Sequence, residues 1–209
     1  MNQYEAEGDS FLDRIITSDE TWCHHYEPKS KRQSMEWRHV NSPSKKKFKT
    51  LPSAGKVMCT VFWDRNGVIL LDFLEPVQTI NSDGYIATLT NLKARISRVR
   101  PEKKTRFLLQ HDNARPHTSL KTVELIVNLG WTAVAHPLYS PDLAPSDFHL
   151  FGPMKDRLRG QHFPSNDAVV RPVKQWATSA GADFYERGMQ ALVHCWRNCV
   201  ASGGDYIEK

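Results

Sequence analysis

The sequence predicts an α/β fold, a mixed five-stranded sheet flanked by helices, and three observations carry that prediction. Short β-favouring runs alternate with longer stripes of helical period. Two of the runs are joined by a tight turn, which makes an antiparallel hairpin. The remaining strands are separated by helical segments long enough to cross over and pair in parallel.

Phe11-Leu-Asp-Arg-Ile-Ile-Thr17 reads as the first strand, ending at Ser18-Asp19-Glu20. From about 23 to 55 the chain is rich in Lys, Ser, Pro and His without a clean period, and reads as a long basic excursion from the core. Trp22, Trp37 and Phe48 are its candidate anchors. Val57–Trp63 and Val68–Leu74 form the hairpin, turning at Asn66-Gly67. Ser82 offers an N-cap to a helix whose stripe is Tyr85, Leu89, Leu92, Ile96 and Val99, stopped by Pro101. Phe107–His111 is a short buried strand, Thr118–Leu129 a helix stopped by Gly130, and Trp131–Ala135 the last strand. The Pro-rich turn Tyr139–Pro145 leads into Ser146-Asp147 and a helix from about Phe148 to Leu158. Two helices follow, near Asp167–Thr178 and Phe184–Val200.

The chain's 209 residues, 40% of them hydrophobic, suffice for one core of ordinary size. No apolar run is long enough to span a membrane, and the polar, acidic N-terminus is no signal peptide. Cys23, Cys59, Cys195 and Cys199 show no disulfide framework and suit a reducing compartment. The formal charge of +5 is unevenly spread. Residues 27–56 hold nine Lys or Arg against two Glu, and residues 93–106 hold seven against one, so the rest of the chain is acidic. Two basic zones on an acidic body point to a polyanion partner, with an ordinary solvated surface as the plain alternative. Lys45-Lys-Lys-Phe-Lys49 also has the composition of a nuclear-targeting patch.

Three carboxylates stand at element ends: Asp19 after the first strand, Asp112 after the fourth, and Asp147 at the start of the helix beyond the last. Were the first and fourth strands parallel neighbours, Asp19 and Asp112 would meet at one sheet edge, and the Pro-rich turn could deliver Asp147. Acids so close repel unless cations neutralise them, and oxygen ligands select Mg²⁺ or Mn²⁺ over zinc. The chemistry such a set serves is phosphoryl transfer by two metals. Each acid also has a local reading. Asp19 can bond the turn at Thr21, Asp112 can form an Asx-turn or pair with Arg115, and Asp147 can serve a helix N-terminus. Spacing alone leaves these open. Structural zinc, a Ser-His-Asp site and a Gly-rich phosphate loop all lack their motifs.

Thr17-Ser-Asp-Glu-Thr-Trp22, His111-Asp-Asn-Ala-Arg-Pro-His117 and Tyr139-Ser-Pro-Asp-Leu-Ala-Pro-Ser-Asp-Phe148 resemble the three signature blocks of mariner-family transposases, in the Tc1/mariner superfamily. The 34 residues between Asp112 and Asp147 match the family's spacing. The resemblance implies a ribonuclease-H-like core. It would use Mg²⁺ or Mn²⁺, held by Asp19, Asp112 and Asp147, to cut DNA at transposon ends and join 3′ ends into TA targets. Asp142 falls in the preceding Pro-rich block and would not be a ligand. The basic excursion falls where the family has a clamp loop used in DNA and dimer contact, so a homodimer is within what the resemblance implies. Lys29, Lys31, Arg32, Arg38, Lys45, Lys46, Lys47, Lys49, Arg115 and His117 are the expected DNA contacts, and the nucleus the expected location. The sequence departs from the family at Leu138 and Cys23, and the family's N-terminal helix-turn-helix region is expected to be absent. The expected activity is therefore weakened or untargeted. The alternative is a non-catalytic DNA-binding or interaction module derived from a transposase.

Overall fold

The computed structural model describes residues 2–30, 32–35, 51–74, 79–103 and 107–204. Two short helices, α1 (Asn2–Glu7) and α2 (Asp9–Asp13), precede strand β1 (Ile15–His24), and the hairpin β2 (Lys56–Asp64) and β3 (Gly67–Phe73) follows. Helix α3 (Ser82–Val99) leads to β4 (Leu108–Gln110), then α4 (Arg115–Thr118), α5 (Leu120–Asn128) and β5 (Thr132–Ala133). A π-helical turn, Ser146–Leu150, runs into α6 (Phe151–Leu158), and α7 (Asn166–Ser179) and α8 (Ala182–Ala201) complete the described chain.

The five strands lie in the order β3-β2-β1-β4-β5. β1 and β2, and β2 and β3, pair antiparallel, whereas β4 runs parallel to β1 and β5 parallel to β4. Strand alternation divides the core between the two faces. Ile15, Val57, Cys59, Val61 and Trp63 pack with Leu150, Met154, Val169, Val173, Met189 and Leu192 from the helices after residue 145. Ile16, Phe62 and Leu109 pack with Tyr85, Leu89, Leu92 and Ile96 of α3 and Ile126 of α5. The predicted α3 stripe is the buried one, although Asn81 rather than Ser82 caps it, its side chain accepting from Gly84 N at 2.8 Å.

Four local expectations are corrected. Phe11 and Leu12 belong to a helical turn, and β1 starts at Ile15, beside β4, and runs through Asp19 to His24 because β2 pairs with it from Thr17 to His24. The hairpin turns at Arg65-Asn66, with Gly67 already paired to Asp64 at φ 131, where a side chain would be strained. The predicted Thr118–Leu129 helix is two helices broken at Ser119, whose hydroxyl caps α5. The second basic zone is in part internal. Arg100 and Lys103 hold the fully buried Asp64, with Arg100 Nε at 3.0 Å and Lys103 Nζ at 2.7 Å from Oδ2. Those two cations tie the hairpin tip to the end of α3 and are not offered to a polyanion.

Gly188 of α8 sits where the sheet and the π-helical turn meet. A Cβ there would lie 2.5 Å from His149 Cδ2 and 2.9 Å from Trp63 Cη2. Both rings are packed, so Gly188→Ala is expected to destabilise by about 1–3 kcal/mol, read as a lower melting temperature in calorimetry.

Candidate active site

Asp19 sits at the middle of β1, the central strand, where β4 has stopped and β2 continues. Thr17 is opposite Gln110 on β4 and Asp19 is opposite Val61 on β2. The parallel register carries Asp112, two residues past Gln110, to the same rim. Gln110 makes the next link: its buried Nε2 donates to Leu143 O at 2.9 Å, which docks the Pro-rich turn on β4. Trp63 Nε1 donates to Ser146 Oγ at 3.0 Å and holds the π-helical turn on the sheet. Two buried hydrogen bonds therefore deliver Asp147. π-Helical turns inside helices recur at functional sites.

The three aspartates line one cleft of about 300 Å³, together with Ser18, Gln110, His111, Asn113, His136 and the turn from Pro137 to Pro141. None of the described residues lining it is Lys or Arg. Exposed Tyr139, at φ 56, stands on the rim. Burial, and then the charge of Asp147, push the Asp19 carboxyl up to about 8. Asp19 Oδ1 accepts from Glu20 N at 2.7 Å, which works the other way but does not win. Burial also raises Asp147, which shares a hydrogen bond with Asp19. Two carboxylates that cannot both ionise cheaply are a site lacking positive charge.

Asp112 behaves differently. A hydrogen bond from His117 holds it below the usual carboxylate range. His117 Nδ1 lies 2.6 Å from Asp112 Oδ1, and His117 Nε2 lies 3.3 Å from Glu20 Oε1. Burial opposes a charge on this ring, yet the hydrogen bond to Asp112 and the negative charge of Glu20 outweigh it, and His117 is held up at about 9. Glu20, Asp112 and His117 bring one ligand-type atom each within 4.8 Å of one another. Burial, and then the charge on His117, push neighbouring His111 down to about 4. Tyr85 Oη and His111 Nδ1 share a hydrogen bond of 3.0 Å beneath the site.

Of the residues expected at the site, the structure brings Asp19, Asp112 and Asp147 into one cleft. Arg115 is exposed at the start of α4, but the partner of Asp112 is His117 rather than Arg115. The Asx-turn does form, Ala114 N donating to Asp112 Oδ1 at 3.0 Å. His117, expected as a DNA contact, is 2% exposed with both ring nitrogens facing carboxylates, so it presents nothing to a phosphate. Lys29 and Arg32 are exposed, away from the cleft lining. Lys31, Arg38, Lys45, Lys46, Lys47 and Lys49 lie outside the described residues. The two ends of the basic excursion meet where His25 N donates to Gly55 O at 2.8 Å and Tyr26 N to Ser53 Oγ at 2.9 Å.

Sequence reasoning missed Glu20. Its signal was strand alternation: with Asp19 turned into the cleft, Glu20 falls on the face of Ile16, toward α3, where an acid needs a positive partner.

Comparison with known proteins agrees with this fold. Residues 27–106 match the family model described as transposase (partial DDE domain). The mariner Mos1 transposase of Drosophila mauritiana is 37% identical over 202 residues, covering 95% of this chain and 58% of that protein. The chain thus spans under three fifths of the length of this relative. The Mos1 mariner paired-end complex with Mn superposes with a TM-score of 0.89 at 37% identity, over 99% of this chain and 60% of that one. The Mos1 transposase catalytic domain solved with raltegravir and Mg gives 0.80 at 36% identity, over 99% of this chain and 90% of that one. A ribonuclease-H-like fold follows from that match, and by descent as well as by architecture the chain belongs to the mariner family of transposases, over the catalytic domain.

Proposed function

We propose that the chain cuts DNA and transfers strands in the manner of a mariner transposase, with Asp19, Asp112 and Asp147 holding Mg²⁺ or Mn²⁺. The observation that carries this is three aspartates lining one cleft in which no described lining residue is Lys or Arg. The donor set fits such an ion: hard carboxylate oxygens, two of them destabilised in ionised form by burial and proximity. When bound, divalent ions would acidify the attacking water or 3′-hydroxyl and stabilise charge on the leaving oxygen.

The chain's own residues supply the frame. Asp19 stands on the central strand and Asp112 on the loop after β4, so the sheet register sets their separation. Asp147 depends on the Gln110 and Trp63 hydrogen bonds. Arg115 and the basic excursion from about 23 to 55, including Lys29 and Arg32, are the side chains offered to DNA phosphates. Such contacts are sequence-tolerant and weaken steeply with salt. Transposon ends and TA targets are the substrates this reading implies, with work on chromosomal DNA in the nucleus.

The test uses supercoiled plasmid and the purified 209 residues. Nicking is expected with Mn²⁺, more weakly with Mg²⁺, and not with chelator. Mn²⁺ should also raise the melting temperature, because only the folded chain binds it. Asp112→Ala should lose both responses. Nicking that survives this substitution, or a native chain whose melting temperature ignores Mn²⁺, contradicts the proposal.

A further inference from the structure

We infer that His117 is a positioning residue: wedged between Glu20 and Asp112, it fixes which oxygen of the Asp112 carboxylate is presented to a divalent ion. The inference rests on the function proposed above and concerns the same site.

Asp112 needs such a brace. It lies two residues beyond the end of β4, outside the ladder, with its side chain 47% exposed. Its Oδ1 takes two donors, His117 Nδ1 at 2.6 Å and Ala114 N at 3.0 Å. An oxygen so occupied is largely spent, and its two donors set the plane of the carboxylate. Oδ2 is the oxygen left for a ligand.

The ring itself is fixed from every side. Nε2 faces Glu20 Oε1 at 3.3 Å. The Tyr85 ring lies 4.0 Å away between centroids and that of His111 5.1 Å. Thr122 and Pro116, bonded to each other at 2.6 Å, fix the chain on either side of it. Glu20 belongs to β1 at a position paired with Thr60 of β2. An unbroken path therefore runs from the sheet backbone through Glu20 and His117 to a carboxylate on a loop. Groups that orient metal-binding side chains in this way commonly carry a tenfold to hundredfold share of affinity or activity (~10–100-fold).

Two substitutions isolate the effect. His117→Asn keeps an amide donor near the place of Nδ1, and His117→Ala keeps none. Both remove the ring and its contact with Glu20, so the difference between them is the donor to Asp112. Mn²⁺ affinity is measured by titration calorimetry and electron paramagnetic resonance without DNA, beside circular dichroism and the melting temperature. The Ala variant is expected to bind Mn²⁺ about tenfold or more weakly than the Asn variant, with its nicking recovered at high Mn²⁺. Equal affinities in the two folded variants overturn the inference. Should His117→Ala fail to fold, Glu20→Gln removes the charge that faces Nε2 and leaves the rest in place. A weaker Mn²⁺ affinity there supports the inference, and native affinity overturns it. A native chain that takes up no Mn²⁺ overturns the proposed function and this inference together, whereas native uptake with indifferent variants overturns this inference alone.

Discussion

Asp64→Ala is expected to lower the stability of the chain by about 3–5 kcal/mol, or roughly 10 °C in melting temperature for a domain of this size. Asp64 is fully buried, and its two oxygens are met by Arg100 Nε and Nη2 at 3.0 and 3.2 Å and by Lys103 Nζ at 2.7 Å. Truncation strands two cations whose side chains are only 18% and 8% exposed. It also removes the acceptor for Asn66 N, at 2.9 Å, which shapes the hairpin turn. The pH dependence follows from the shift. Burial alone would raise this carboxyl, but the Arg100 hydrogen bond and the Lys103 charge outweigh it and hold it below its usual value. A lowered folded value means the contribution is present above the unfolded value, ~3.9, and is lost as pH falls through the folded one. The gap between native and variant melting temperatures should therefore be wide at pH 7 and close in acid. A gap constant with pH would show that Asp64 matters only by its shape.

The same cluster shows where sequence reading stopped. Strand order, hairpin and helical stripes were legible because period reports which face is buried, and a mixed sheet leaves few ways to connect those faces. Asp64 and Lys103 are far apart in the chain and look like ordinary surface charges. Only the packing of the α3 end on the hairpin tip makes them partners, so local net charge overstated the second basic zone. The end of β1 was hidden for a related reason. Ser18-Asp-Glu-Thr21 is polar and reads as a strand end, but eight consecutive residues of β1 have partners on β2. Tertiary pairing overrode local propensity. At the site, the three acids stood out because each falls in a distinctive block. The Glu20–His117 brace did not, since a histidine five residues after an aspartate says nothing of an acid on another strand.

Asp19→Asn should act in opposite directions on stability and on function. Without divalent ions at pH 7 the variant is expected to melt higher than the native chain by roughly 5 °C, the response to about 2 kcal/mol in a domain of this size. The reason is the carboxyl pushed up to about 8 by burial and by Asp147. Below the unfolded value, ~3.9, both states hold the proton and the group is silent. Between that pH and about 8 the unfolded chain gives up its proton while the folded chain keeps it, so native stability falls as pH rises. Above about 8 the full penalty remains. Asparagine cannot ionise, so the variant should lack this fall and its profile should be flatter than the native one across that window. Divalent ions reverse the order, because a cation draws the proton off Asp19 and stabilises the charge that folding alone disfavours. Mn²⁺ should then raise the native melting temperature past that of the variant. Its apparent affinity should grow with pH up to about 8, and calorimetry in buffers of different ionisation enthalpy should detect proton release on binding. Nicking by the variant should fall about a thousandfold, equal to roughly 4 kcal/mol of lost transition-state stabilisation. Identical pH profiles for variant and native chain would mean that Asp19 titrates as an ordinary surface acid, and that the cleft holds its three carboxylates without strain. The crossing of the two stability orders, with and without the cation, is the signature of a centre whose instability is relieved by what it binds.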